Sequence, residues 1–150
     1  METLVQNELM LKSGAIVATS EALSGKKVIG LYFSGHYCPP CRKFTPLLDM
    51  VYSNIKAAGH EDLEIVFVSS DKEEAKFTEY YNEMPWIALP YARRDLKLKL
   101  CEKFGVKTVP TLIFFNEKGD VVEREGRAFV TSHSDDIAAI LSHLRQEKKD

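Results

Sequence analysis

Lys27-Val28-Ile29-Gly30-Leu31-Tyr32-Phe33-Ser34-Gly35-His36-Tyr37-Cys38-Pro39-Pro40-Cys41 runs from an apolar segment into two cysteines separated by two prolines. Its first seven residues are short, apolar and mostly β-branched or aromatic, the pattern of a buried strand. Ser34-Gly35 ends that strand. Pro39 and Pro40 suit the first turn of a helix, where backbone N–H groups lack intrahelical partners anyway. The expected helix carries Phe44, Leu47, Leu48, Val51 and Ile55 on one face, at i, i+3, i+4, i+7 and i+11. Pro46 lies inside it and should kink it, and Gly59 is the expected stop. The cysteine pair therefore sits between a strand and a helix N-terminus.

Leu63-Glu64-Ile65-Val66-Phe67-Val68 reads as a second buried strand. Asp71 is expected to cap the next helix, with Glu74 completing an acidic capping box rather than carrying protons. Phe77, Tyr80, Tyr81 and Met84 form that helix's apolar face, and Pro85-Trp86 closes the unit. Arg94 to Phe104 alternates like a strand over Leu96-Lys97-Leu98-Lys99-Leu100. Its Leu and Lys content and the stripe of Leu96, Leu100 and Phe104 favour a helix, with Lys97 and Lys99 on a solvated face. Thr111 to Phe115 and Val121 to Glu123 read as strands joined by a hairpin-length turn at 116–120. A last helix is expected to start near Ser132 or Ser134, with Asp135 and Asp136 in its first turn and Ile137, Ile140, Leu141 and Leu144 on its apolar face. Leu9 to Lys12 and Ile16 to Ala18 could pair as a short hairpin around Ser13-Gly14. Strands joined through a helix imply a parallel pair with a right-handed crossover, and strands joined by a tight turn an antiparallel one. The expected fold is α/β, a mixed central sheet with helices on both faces.

The 150 residues carry 20 basic and 22 acidic side chains, a net charge of −2, with 45% apolar and 28% charged residues. This is the size and composition of one domain with its own core, neither disordered nor disulfide-stapled. The reading is a single domain over 1–150, with 146–150 as a solvated tail. Balanced charge gives no global attraction to nucleic acid or anionic lipid. No apolar run reaches the roughly 18 residues that span a bilayer. Met1 to Glu8 lacks the basic start and apolar core of a secretory signal. A cytoplasmic protein is expected, and nuclear entry is compatible with this size. Three cysteines, two of them three positions apart, point to thiol or metal chemistry rather than an extracellular staple.

A sulfur at a helix N-terminus faces unpaired N–H groups and the positive end of the helix dipole, and both stabilise a thiolate. Cys38 is thus the expected accessible nucleophile. Cys41, one turn inside, is the shielded partner that can close a disulfide with it. Zinc is the competing reading. It needs four ligands; His36 could be a third, but Cys101, His60, His133 and His143 are scattered. A c-type haem needs His after the second cysteine, where Arg42 stands. No metal is expected. Val109-Pro110-Thr111 is the second signal. A proline entering a strand cannot donate to its ladder. It is either an ordinary trans proline or a cis-proline beside the cysteines, leaving the Val109 backbone to pair with an extended substrate segment.

Taken together, Tyr32-Phe33-Ser34-Gly35-His36-Tyr37-Cys38-Pro39-Pro40-Cys41-Arg42 with Phe44-Thr45-Pro46 resembles the tryparedoxin and nucleoredoxin branch of the thioredoxin superfamily. Val66-Phe67-Val68-Ser69-Ser70-Asp71, Met84-Pro85-Trp86, Leu89-Pro90-Tyr91, Val109-Pro110-Thr111-Leu112 and Gly126-Arg127 echo the same branch, so the likeness runs from about Leu9 to about Arg127. It implies a thioredoxin-like fold with an N-terminal β-hairpin, and a protein-disulfide reductase. Cys38 then maps to the nucleophile, Cys41 to the resolving cysteine and Pro110 to the cis-proline. Tyr37, Pro39, Pro40, Val109 and Pro110 are the residues expected to meet the client. One departure stands out: Tyr37 occupies the place where the family usually has Trp. Nucleoredoxins are multidomain, so one unit looks more like a tryparedoxin or a single-domain nucleoredoxin-like protein.

The reading at this point is a thiol–disulfide oxidoreductase acting on protein disulfides, with peroxiredoxins as clients by family resemblance. Without a phosphate-binding glycine loop, no cofactor beyond the Cys38–Cys41 pair is expected, so electrons come from an upstream dithiol donor or reductase. The rival is a redox-regulated binding protein of nucleoredoxin type that gates signalling partners. A peroxidase fits less well, because the segment before Cys38 lacks the Pro-x-x-x-Thr-x-x-Cys pattern. Cys101 reads as a small core-facing thiol, Trp86 as core packing, His36 as an exposed loop histidine, and Arg127 as either a partner contact or a surface arginine.

Overall fold

The computed structural model describes residues 1–146; the expected tail lies outside the described residues from position 147 onward. Elements follow in the order α1 (Glu2–Val5), β1 (Glu8–Met10), β2 (Ile16–Ala18), α2 (Thr19–Ala22), β3 (Val28–Ser34), α3 (Pro39–Ala57), β4 (Leu63–Ser69), α4 (Glu74–Tyr81), β5 (Ile87–Ala88), α5 (Arg94–Phe104), β6 (Thr111–Asn116), β7 (Val121–Glu123), α6 (Gly126–Ser132) and α7 (Ile137–Leu144).

The strands form one sheet in the order β2-β1-β5-β4-β3-β6-β7. β3 and β4, joined through α3, are parallel, as are β4 and β5. β6 runs antiparallel to both β3 and β7. The N-terminal hairpin β1–β2 adds to the β5 edge with antiparallel pairing. The central strands are buried on both sides, which is why they read as near-continuous apolar runs.

Alternation along those strands feeds two cores. Val28 and Tyr32 of β3, Leu63, Ile65 and Phe67 of β4, and Leu112 and Phe114 of β6 pack against α3, α4, α6 and α7. Ile29, Leu31 and Phe33, with Val66, Val68, Ile113 and Phe115, pack against α1 and α5. Gly30 faces the first core opposite Phe114, where a Cβ would lie 2.9 Å from the Phe114 ring. The thioredoxin-like fold, with helices on both faces of a mixed sheet, is therefore present.

Two boundaries differ from expectation. The last helix starts at Ile137, because the Asp136 carboxylate accepts the Ala139 N–H at 3.0 Å and caps it there. α4 starts at Glu74 with Glu73 at its cap and no side-chain capping bond, so Asp71 does not cap it. No helix among the described residues is long and apolar enough to cross a membrane.

Candidate active site

Cys38 is the N-cap of α3, and Pro39 and Pro40 fill the first helical positions. Neither proline has an N–H. The first one available belongs to Cys41, which donates to Cys38 Sγ at 3.4 Å. Arg42 N–H then bonds the Cys38 carbonyl at 3.1 Å. The two prolines thus focus the helix terminus on a single donor aimed at one sulfur.

All three cysteines are free thiols. Cys38 is 8% exposed and Cys41 fully buried; Cys38 is therefore buried rather than openly accessible as expected, and it shows solvent only a small edge. Burial, and then the hydrogen bond with Cys38, push the Cys41 thiol up to about 11. It stays protonated at neutral pH.

The Val109–Pro110 peptide is cis. It brings the Val109 carbonyl to 3.5 Å from Cys38 Sγ, which donates to it. β6 begins directly after, pairing Thr111 with Phe33, so the loop before β6 and the end of β3 meet at the sulfur. Tyr37 stands beside them, 61% exposed. A Cβ on Gly35 would lie 2.5 Å from the Tyr37 ring, so the glycine is what lets that ring lie back on the loop. Tyr37, Pro39, Pro40, Val109 and Pro110, the residues expected to meet a client, all lie around Cys38.

Arg127, exposed near the start of α6, borders two grooves. One of about 600 Å³ runs past Pro110, Thr111 and Arg124. The other, of about 470 Å³, runs past Pro39, Pro40, Phe44 and Leu47. On the far side of Tyr37 a third depression of about 610 Å³ is lined by His36, Lys72, Glu73 and Lys76.

Several residues of the site escaped the sequence reading. Asp71 is buried, and its Oδ1 accepts the His36 N–H at 2.8 Å while Oδ2 accepts the Ser69 hydroxyl at 3.0 Å. It is an anchor for the cysteine loop rather than a cap. Tyr91 donates to the Asp71 carbonyl at 2.9 Å, and Arg94 donates to the Ser69 carbonyl at 2.6 Å. His36 is half-buried rather than exposed, its ring edge-on to Tyr80 at 5.7 Å. Beneath Cys41 lie four buried hydroxyls, those of Tyr32, Ser34, Thr45 and Tyr80. Their one sequence signal was polarity at positions that the apolar pattern marks as core. Cys101 is half-buried against the second core, and Trp86 is fully buried. Among the described residues no three or more His, Cys, Asp or Glu side chains are placed to hold a metal.

Residues 25–121 match a family model described as thioredoxin-like. Mouse nucleoredoxin is 41% identical over 126 residues, covering 84% of this chain. The chain spans 28% of that relative's length. The tryparedoxin of Trypanosoma brucei brucei is 41% identical over 128 residues, 85% of each chain. Native tryparedoxin I from Crithidia fasciculata superposes with a TM-score of 0.81 at 34% identity, covering 90% of this chain and 92% of that one. A tryparedoxin II complexed with glutathionylspermidine gives 0.75 at 34% identity, covering 86% and 87%. With its cysteine pair at a helix N-terminus, the chain belongs to the thioredoxin-like oxidoreductase family, in the branch that holds the nucleoredoxins and tryparedoxins.

Proposed function

We propose that the protein is a protein-disulfide reductase in which Cys38 attacks and Cys41 resolves. The observation that supports it most is the geometry at Cys38: a sulfur at a helix N-terminus, accepting the Cys41 N–H and adjoining the cis Val109–Pro110 peptide. As a thiolate, Cys38 attacks a client disulfide in line; one client sulfur departs as thiolate and a mixed disulfide forms. Cys41 then attacks Cys38 Sγ. The Cys38–Cys41 bond forms, the Cys38–client bond breaks, and the electron pair leaves on the client sulfur. An upstream dithiol donor resets the pair, and no bound nucleotide or flavin enters the scheme.

An extended client segment can lie along Val109 as an added strand, exchanging the Cys38–Val109 contact for main-chain hydrogen bonds. Such pairing gives affinity with little sequence preference, which suits protein disulfides in general and a peroxiredoxin among them. The two grooves that meet at Arg127 accept the side chains flanking the client cysteine.

Insulin reduction with a small dithiol donor tests this. Turnover should vanish in Cys38→Ser, and Cys41→Ser should accumulate a mixed disulfide that mass spectrometry detects. A folded wild-type chain that never reduces insulin, yet captures a partner only in one redox state, would replace this reading with that of a redox-gated binding protein.

A further inference from the structure

The two sulfurs are held by separate parts of the fold. Cys38 closes the loop after β3. That loop is tied down by the Cys38 N–H bonding the Gly35 carbonyl at 3.2 Å and by the His36 N–H bonding Asp71 at 2.8 Å. Cys41 lies one turn along, inside α3. Its sulfur has to meet Cys38 Sγ in line with the Cys38–client bond, so whatever fixes the first turns of α3 against the sheet governs that step.

The backbone of α3 holds this stretch with fewer bonds than usual. Pro39 and Pro40 contribute no N–H, and Pro46 offers none to the Arg42 carbonyl one turn back. Thr45 stands directly before Pro46 and is 4% exposed. Its hydroxyl donates to the Cys41 carbonyl at 2.9 Å.

A threonine that bonds the carbonyl four residues back in its own helix is common. Here the same oxygen has two further partners from other elements. They are the Tyr32 hydroxyl of β3 at 2.7 Å and the Tyr80 hydroxyl of α4 at 2.6 Å. A carbonyl only accepts, so the one Thr45 hydrogen is committed to Cys41 and both phenols donate to Thr45. The Tyr80 hydrogen being spent there, Ser34 of β3 donates to Tyr80 at 2.7 Å. Every hydrogen and lone pair of the Thr45 hydroxyl is used. The O–H groups run in one direction and end on the Cys41 carbonyl, and aligned bonds in a buried site reinforce one another.

We propose that Thr45 is a positioning residue for the resolving cysteine: through one oxygen it fastens the Cys41 backbone to β3 and α4, and so sets where the Cys41 sulfur meets Cys38. Thr45 touches neither sulfur and moves no proton. It confines the Cys41 backbone, which raises the effective concentration of one thiol toward the other. Confinement of this kind favours the Cys38–Cys41 disulfide over a mixed disulfide, so it acts on an equilibrium as well as on a rate.

Because this role rests on the proposed chemistry of Cys38 and Cys41, a two-phase experiment reads the two separately. The reduced protein, with Cys101 replaced by alanine, is mixed with one equivalent of Ellman's reagent in a stopped-flow instrument. The first thionitrobenzoate released reports Cys38 attack and the second reports Cys41 resolution; the dithiol is oxidised to the disulfide as the reagent is reduced to two thiolates. Thr45→Val keeps the shape and removes the hydroxyl. It should leave the first phase unchanged and slow the second about tenfold or more. Thr45→Ser, which keeps the hydroxyl, should restore the second phase. In a glutathione buffer, the equilibrium constant for closing the Cys38–Cys41 disulfide should fall about tenfold in Thr45→Val and recover in Thr45→Ser. Tyr52→Phe removes a different buried phenol of the same helix, bonded to Glu64 at 2.9 Å, and should change neither phase.

A Thr45→Val second phase that is unchanged, slowed equally with the first, or not restored by serine overturns the positioning role. Should Thr45→Val fail to fold, Tyr32→Phe and Tyr80→Phe carry the test, since each takes one donor from the Thr45 oxygen; a second phase unaltered in both overturns it. A wild type that gives no second release, or a first release that persists in Cys38→Ser, would instead sink the underlying dithiol mechanism.

Discussion

Asp71 shows how one carboxylate sets the position of a reactive loop. Its two oxygens take the His36 N–H and the Ser69 hydroxyl, and its own N–H bonds the Ser69 hydroxyl at 3.0 Å. Removing the side chain leaves the His36 N–H, two residues from Cys38, and the hydrogen of the buried Ser69 hydroxyl without acceptors. Asp71→Ala should cost about 2–4 kcal/mol, and a urea unfolding curve measures it; Asp71→Asn, which retains one acceptor oxygen, should lose less. An alanine variant with an unshifted midpoint would show that the carboxylate does not anchor the loop. The sequence could not reveal this role. Asp followed three residues later by Glu has the form of a capping box, and only the actual helix start at Glu74 frees Asp71 to face the loop after β3. The placement of Cys38 and Cys41 at a helix start and the cis peptide at Pro110 were legible because both depend on local order along the chain. Tyr80 and Thr45 were not, because their hydroxyls act across 35 residues of sequence.

Among the elements, strands and long helices were readable from periodicity, and even the ambiguous Leu-Lys alternation resolved as α5 because Leu96, Leu100 and Phe104 share one buried stripe. The missed elements are short or held by packing. β5 has two residues between Pro85 and Pro90, too few for any period. α6 opens on Gly126 and contains β-branched Val130 and Thr131, which argues locally against a helix; burial of Val130 in the first core holds it. Gly126 also fixes how closely α6 approaches β6, since a Cβ there would lie 2.5 Å from the Leu112 carbonyl oxygen. That obstacle is backbone and cannot rotate away. Gly126→Ala should push α6 off the strand and cost about 1–3 kcal/mol, lowering the urea midpoint, while Gly25→Ala serves as a contrast in which the added methyl meets open space and the cost comes only from the backbone angle. Equal losses in the two variants would show that the close contact is not what constrains α6.

Across the whole molecule, the sheet's two-sided burial governs how stability responds to pH. Connection lengths indicated which strands run parallel, so the layered architecture was legible; how deeply each thiol and phenol lies was not. Burial is the leading cause that raises the Cys41 thiol to about 11 and also raises the phenols of Tyr32, Tyr52, Tyr80 and Tyr81. For a group whose value is higher folded than unfolded, the contribution is complete below the unfolded value and disappears as pH climbs through the folded one. For Cys41 the window opens at its ordinary 9.0 and closes near about 11; the phenols act above their ordinary 10.0. At the acid end, the hydrogen bond from Arg145 holds the Asp62 carboxyl below its usual 3.8, so that contribution is present above this value and is lost as pH falls further. The melting temperature of the reduced protein should therefore be flat through neutrality and begin to fall just above pH 9. With Cys101, whose thiol burial also raises above 9.0, replaced by alanine in both proteins, Cys41→Ala should hold its plateau about one pH unit longer, until the phenols begin to ionise. If calorimetry shows both proteins declining from the same pH, then Cys41 ionisation is not the first event of alkaline unfolding, and the Cys41 thiol is less shielded than its burial implies.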